Sequence, residues 1–292
     1  MSLRRQLLLV SLLLLSLPWA GCQFIREMEG ALRHGQEQSL QATARAVAAV
    51  LGEQEELLYP EPQRRLAGAD QRLSIYAHPA DQPVIVDGYG DGWEEIPGVD
   101  FRSDPGAAPL AVTYQAVTRG DYLYLLLRVR DADVIYHNPG LSTEPNGDRL
   151  VLRTWQQGRR QEYVIATAAP GSVRASPASR RQAGADARRI RGFWQDAAGG
   201  YSLELEIPLS YTGGRLGFYL VNVGRRPGGK FETVGNITPL ATAAPPWLIY
   251  SPEALRATLA PFSRQGNHIQ VVDKDNWLVA DSPPGTANGG RS

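Results

Sequence analysis

The sequence contains a single cysteine, Cys22, only two lysines among its 30 basic residues, Lys230 and Lys274, and no surplus of charge, since 30 Lys+Arg balance 30 Asp+Glu. A lone cysteine forms no internal disulfide and excludes both a cysteine-based zinc site and a thioredoxin-like pair. Neutrality argues against a dedicated nucleic-acid binder, which needs a basic surplus to meet phosphates. The zero is nevertheless a cancellation, because residues 73–135 are acidic and residues 136–200 basic. The near-exclusive use of arginine reads as compositional bias and assigns no function. No nucleophile elbow, phosphate loop or zinc-protease helix occurs, so the chain is not expected to be an enzyme. His78, His137 and His268 lack metal-ligand spacing and read as surface or turn residues, and no cofactor is expected. What is present is ordinary globular composition, 43% hydrophobic and 21% charged over 292 residues, enough for one large domain or two modest ones.

Residues 1–25 read as an export signal or membrane anchor, with basic Arg4 and Arg5, an apolar run from Leu7 to Leu17, then Pro18-Trp19-Ala20-Gly21-Cys22. Two outcomes stay open. Cleavage before Cys22 would give a lipoprotein lipidated on that residue, for which Ala20 and Gly21 are suitably small. Without cleavage, the apolar stretch continues through Ile25 for about 19 residues, close to a bilayer span. Both place residues 26 onward in the periplasm, tethered to the inner membrane. From Phe24 to Leu58 apolar residues recur at Met28, Leu32, Leu40, Val47 and Leu51, as in an amphipathic helix that either packs on a domain or pairs with a second copy as a homodimer. Pro60 and Pro62 end it, and a linker to residue 72 follows.

Beyond residue 72 short β-rich runs alternate with Gly, Pro, Asn and Asp. The expected strands are Leu73–Ala77, Val84–Val86, Leu110–Val117, Tyr122–Arg130, Arg149–Trp155, Glu162–Thr167, Tyr201–Ile207 and Leu216–Val223. In Tyr201–Ile207 the odd positions are apolar and the even ones polar, the period of a half-buried strand. Thr118-Arg119-Gly120-Asp121 reads as a hairpin turn. The expected fold class is mainly β, an antiparallel β-sandwich over 73–250 preceded by a membrane helix and a long amphipathic helix. A short helix (Pro252–Leu259) and a second hairpin (Ile269–Val272 with Trp277–Ala280) occupy 251–282, and 283–292 reads as a disordered tail.

Three pieces in this order carry a resemblance: Val84-Ile85-Val86-Asp87-Gly88 with Trp93; Tyr122–Asp131 followed by Gly147-Asp148-Arg149-Leu150; and Tyr201–Leu209 followed by Gly217-Phe218. Together they resemble carbohydrate-binding module family 9 and the related DOMON-like sandwiches. The resemblance implies a sandwich that binds glycans, with Trp93 packed in its core. Some DOMON relatives hold haem through Met and His; with only Met1 and Met28, both ahead of the sandwich, such a site is unavailable here. The leader, the charged helix and Ile269–Asp281 are similar to the periplasmic sensor region of a membrane histidine kinase, as in proteobacterial dedicated sortase systems. No second span, phosphoacceptor helix or ATP-binding glycine box follows, so the expectation is the sensing half of such a kinase, detecting an envelope glycan or protein. The alternative is a free-standing carbohydrate-binding lipoprotein.

Sugar sites stack aromatic faces on pyranose rings, which makes Trp155, Trp194 and Trp247, near the ends of β-like runs or in loops, and Tyr136, in the loop before Asp148, the candidate ligand-binding residues. Glu204 and Glu206 share one strand face about 7 Å apart, a spacing compatible with an inverting glycosidase pair, but alternation in a solvent-facing strand accounts for them. Asp131, Asp133 and Asp148 could supply loop oxygens to a structural calcium, although their spacing matches no EF-hand. The arginines at 174, 180, 181, 188, 189 and 191 lie among Ala, Ser, Gly and Pro and read as a mobile solvated loop.

Overall fold

The structure, a computed structural model, describes residues 3–58, 72–103, 110–179, 186–224, 231–263, 267–272, 276 and 278–282, with side chains from residue 23 onward apart from residue 55. The chain divides into two units, residues 1–55 and 56–292. In the first, helix α1 (Leu3–Glu53) runs unbroken from the leader into the charged segment. The expected lipid-bearing side chain of Cys22 and most of the expected anchor lie outside the described side chains. Among the described residues no helix is long and apolar enough to cross a membrane. Met28, Leu32 and Leu40, spaced for one helical face, are exposed.

The second unit is a mainly antiparallel β-sandwich. Its strands are β1 (Ile75–Pro79), β2 (Val99–Arg102), β3 (Ala111–Arg119), β4 (Tyr122–Arg130), β5 (Arg149–Gln156), β6 (Arg159–Ala166), β7 (Gly171–Arg174), β8 (Ser176–Pro177), β9 (Arg191–Ala197), β10 (Gly200–Pro208), β11 (Leu216–Asn222), β12 (Glu232–Gly235) and β13 (Leu248–Tyr250). One sheet runs β13-β1-β3-β4-β10-β9-β7, with β2 sharing the edge of β3; the other runs β12-β11-β5-β6-β8. β1 departs from the antiparallel expectation, since it pairs in parallel with both β13 and β3. A helix (Glu253–Ser263) and a hairpin of β14 (Ile269–Val272) and β15 (Leu278–Ser282) follow.

The hairpins form where the sequence supplies positive-φ residues. Gly120 (φ 55°) turns β3 into β4, and Gln157 and Gly158 (φ 50° and 75°) turn β5 into β6, the pair of left-handed residues that matches the twist of a two-residue hairpin. Alternation then aims one face of each strand inward. Leu123, Leu125, Leu127 and Val129 of β4 and Leu203, Leu205 and Ile207 of β10 meet Leu150, Leu152, Phe218 and Leu220 of the opposite sheet, all buried. Tyr114 and Phe218 join the layers edge to face, with centroids 5.5 Å apart.

Two expectations need correction. Val84–Val86 is not a strand; it belongs to an irregular segment lying over the first sheet, where Val84 packs against the Trp93 cluster. The arginine-rich stretch is ordered where it is described: Arg174 is on β7, Arg188 and Arg189 are in a 3₁₀ turn, and Arg191 is on β9 opposite Arg174, while Arg180 and Arg181 lie outside the described residues. Of the proposed tail, residues 283–292 are also outside them.

Candidate functional site

The outward face of the first sheet carries the polar and aromatic side chains that alternate with the core. On β4 these are Tyr122, Tyr124, Leu126, Arg128 and Arg130. The register sets Tyr124 beside Glu206, Leu126 beside Glu204 and Arg128 beside Ser202 on β10, and Arg191 beside Glu206 on β9. The segment from Ala80 to Gly98 covers the middle of this face. Trp93, 2% exposed, packs on Val117 and Leu126: it is buried as expected, but in a separate cluster on the outer face of the first sheet and not between the layers. Gln115 Nε2 donates to the Trp93 carbonyl at 2.8 Å and also to that of Ile96.

Glu204 is the second anchor. Its Oε2 accepts the backbone amides of Asp87 and Gly88, each at 2.8 Å, and Ser202 donates to the Gly88 carbonyl. Gly88 sits at φ 88°, and a Cβ there would come within 2.8 Å of Gln195 and Phe193 side-chain carbons, so the segment approaches the sheet as closely as it does because this residue is glycine. Glu204 is 1% exposed, and its Oε1 has no partner. Burial raises its pKa, aided by the nearby Asp87 charge, while the backbone amides of Gly88, Asp87 and Gly90 oppose the rise. It therefore does not face solvent: β10 lies between β4 and β9, not at an edge. A cavity of about 580 Å³ beside this segment has Val84, Trp93 and Ile96 on its wall and Asp91, Glu94 and Glu95 on its rim.

At one end of the covered strip Tyr122 and Tyr124 remain half-exposed, with ring centroids 6.5 Å apart and planes tilted by 44°. Arg191 Nε and Nη2 donate to Glu206 at 2.9 and 3.1 Å, a forked pair whose arginine is largely exposed. Two aromatic faces beside a rigid pair that still offers donors and acceptors can hold the apolar face of a ring and read its hydroxyls. The tyrosine signal was visible in Tyr122-Leu123-Tyr124-Leu125, but only the path of residues 80–98 decides that this end stays open.

The four aromatic candidates separate. Trp194 is 1% exposed and stacked on Tyr201 at 4.0 Å between the layers, so neither of its faces is open to a ring. Trp247, 4% exposed, lies under the Arg215 guanidinium at 3.5 Å from its centroid and is likewise occupied. Burial of both follows from sheet packing that residue type alone does not reveal. Trp155 is half-exposed on the outer face of β5, opposite Arg160. Tyr136 is half-buried, packed edge to face 6.5 Å from Trp194, and donates its hydroxyl to Asp196. Tyr136 and Trp194 are thus neighbours, but the four form no single site.

Beside Tyr136, Asp131 and Asp148 are both buried. Asp148 accepts the amides of Ile135 and Val223 at 2.7 Å, and Asp131 accepts from Asn222 Nδ2 and the Asp133 amide. Burial lifts Asp148 to about 6, opposed by its two amides and reinforced by the facing Asp131. Asp131 Oδ2 is buried with no hydrogen-bond donor. Among the described residues no group of three or more His, Cys, Asp or Glu could hold a metal ion. The expected calcium trio is instead a pair bonded to backbone, with Asp133 exposed.

Fold and site together define a two-sheet β-sandwich with one partly open outer face. No family model and no curated protein matches the chain. Similar solved structures include a family 9 carbohydrate-binding module from Caldicellulosiruptor kristjanssonii in complex with cellotriose, 17% identical, covering 56% of this chain and 82% of that one with a TM-score of 0.41. The same kind of module from that organism in complex with glucose covers 56% and 84% at 17% identity and a TM-score of 0.39. At this level of likeness the fold assignment rests on the sheet order and core described above.

Proposed function

We propose that the sandwich is a sugar-binding module and that the chain is the periplasmic input region of a membrane sensor histidine kinase, reporting an envelope glycan or glycan-bearing partner. The observation that carries the sugar reading is the open end of the first sheet, where Tyr122 and Tyr124 stand beside the Glu206–Arg191 fork. Trp155 is a second stacking surface, and Tyr136 is secondary because its ring packs edge to face against the buried Trp194. The sensor reading is supported by α1, which runs directly from the leader; its exposed Met28, Leu32 and Leu40 suit pairing with a second copy. Titrating the whole chain with cell-wall and exopolysaccharide oligosaccharides tests the sugar reading through saturable changes in intrinsic fluorescence. If every sugar leaves the fluorescence unchanged, protein sensing replaces it.

A second reading, a free-standing lipoprotein that captures glycans, is favoured by Ala20-Gly21-Cys22. The sequence immediately downstream of the coding region separates the two: a second span and kinase core there support the sensor.

A further inference from the structure

The opposite end of the same sheet face has a different chemistry. Asp100, Arg102, Ala111, Thr113, Arg128 and Arg130 line a trough of about 220 Å³, smaller than a drug-sized pocket and suited to a single group. Residues 73–135 are acidic overall and contain four arginines, 102, 119, 128 and 130; three of the four converge here. The register explains how. Arg102 on β2 and Arg130 on β4 both stand opposite Ala111 on the strand between them. With neighbouring strands about 4.8 Å apart, two arginines flank a methyl group across roughly 10 Å. The small central residue leaves a gap between the two guanidinium groups.

The trough also holds one carboxylate, Asp100, which accepts from Thr113 Oγ1 at 2.6 Å; that bond leaves its negative charge in place, and the three guanidinium groups outnumber it. Arg128 is fixed by donating to Gln115, the residue that holds the Trp93 segment. Arg102 and Arg130 are exposed and have no ion-pair partner among the described residues. Two exposed planar forks and a third held beside them match the geometry of an oxyanion, which arginine binds through paired N–H donors.

We propose that this trough is a subsite for the carboxylate of an acidic sugar, so that the module takes uronate-bearing glycans. The assignment rests on the sugar-binding reading and narrows it to a class of ligand.

The test is isothermal titration of the whole chain and of an Arg102→Gln/Arg130→Gln variant with an oligogalacturonate, a neutral oligosaccharide of equal length and inorganic phosphate. The two arginines are exposed, so the variant should keep the parent melting temperature. The expected result is oligogalacturonate binding that weakens about tenfold or more in the variant, the loss of charge-assisted hydrogen bonds. Binding should also weaken as salt rises. Oligogalacturonate binding unchanged in the variant overturns the proposal. So does phosphate binding as tightly as the sugar acid, which would make this a site for a free oxyanion. If only the neutral sugar binds, the uronate assignment fails and the sugar-binding reading stands; if no sugar binds, that reading fails as well.

Discussion

The Glu204 carboxylate accepts the backbone amide of Gly88 at 2.8 Å, joining residues 116 positions apart. This contact holds the Asp87-Gly88 turn against the sheet and divides the outer face into an aromatic end and a basic end.

Glu204→Ala should therefore release the segment without unfolding the sandwich. It leaves two amides, Asp87 and Gly88, without their acceptor, at a cost of about 2–4 kcal/mol. Hydrogen exchange over residues 84–96 should accelerate, whereas exchange in β3 and β4 should not. Glu204→Gln keeps an acceptor oxygen and should restore most of the protection. Unchanged exchange in the alanine variant would contradict the anchoring role.

Asp148 makes stability depend on pH. Its folded pKa, raised to about 6 by burial, exceeds the ordinary carboxylate value of 3.8, so the native state holds a proton that the unfolded state has released. The stabilising contribution is fully present below about pH 4 and is lost as pH rises through about 6. It amounts to about 3 kcal/mol at most. Urea denaturation between pH 4 and 7 should show this decline, and Asp148→Asn should flatten it. An equal slope in parent and variant would rule the group out.

Arg153 should be among the costliest residues to remove. It is 1% exposed, donates to Glu162 at 2.7 Å and donates to the carbonyls of Ala241 and Pro239 at 2.7 and 3.1 Å. Arg153→Met removes a buried guanidinium that bonds the half-buried Glu162 carboxylate and two backbone carbonyls, and a loss of about 2–4 kcal/mol is expected from the denaturation midpoint. A loss below about 1 kcal/mol would mean that water replaces the guanidinium.

The membrane tether is tested by lipid labelling. The uncleaved-anchor reading expects no palmitate incorporation in either the parent or Cys22→Ala. Label present in the parent and absent from the variant would establish the lipoprotein instead.

The fold was legible where turn chemistry and alternation agree locally, as in β3 with β4 around Gly120 and in β10 with its strict period of two. β9 was not legible as a strand, because Arg191, Phe193 and Gln195 on one face and Gly192, Trp194 and Asp196 on the other mix polar with apolar on both sides. Val84–Val86 has a strand's composition, but its neighbours Asp87 and Gly88 are bonded to a side chain, which no local pattern encodes. The site was less legible than the fold. Tryptophan is an apt residue type for sugar stacking, yet Trp194 and Trp247 are buried by long-range contacts, and Tyr122 and Tyr124 are open only because residues 80–98 cross the sheet beside them.

The most direct test of the central claim compares calorimetric titrations of the parent chain and a Tyr122→Ala/Tyr124→Ala variant with the best-binding oligosaccharide from the panel. Sugar binding at the open end of the first sheet predicts a saturable isotherm for the parent and about tenfold or greater weakening in the variant, with the variant still folded at the temperature of the titration. Equal affinity in the two proteins, or no binding to any oligosaccharide, would contradict it.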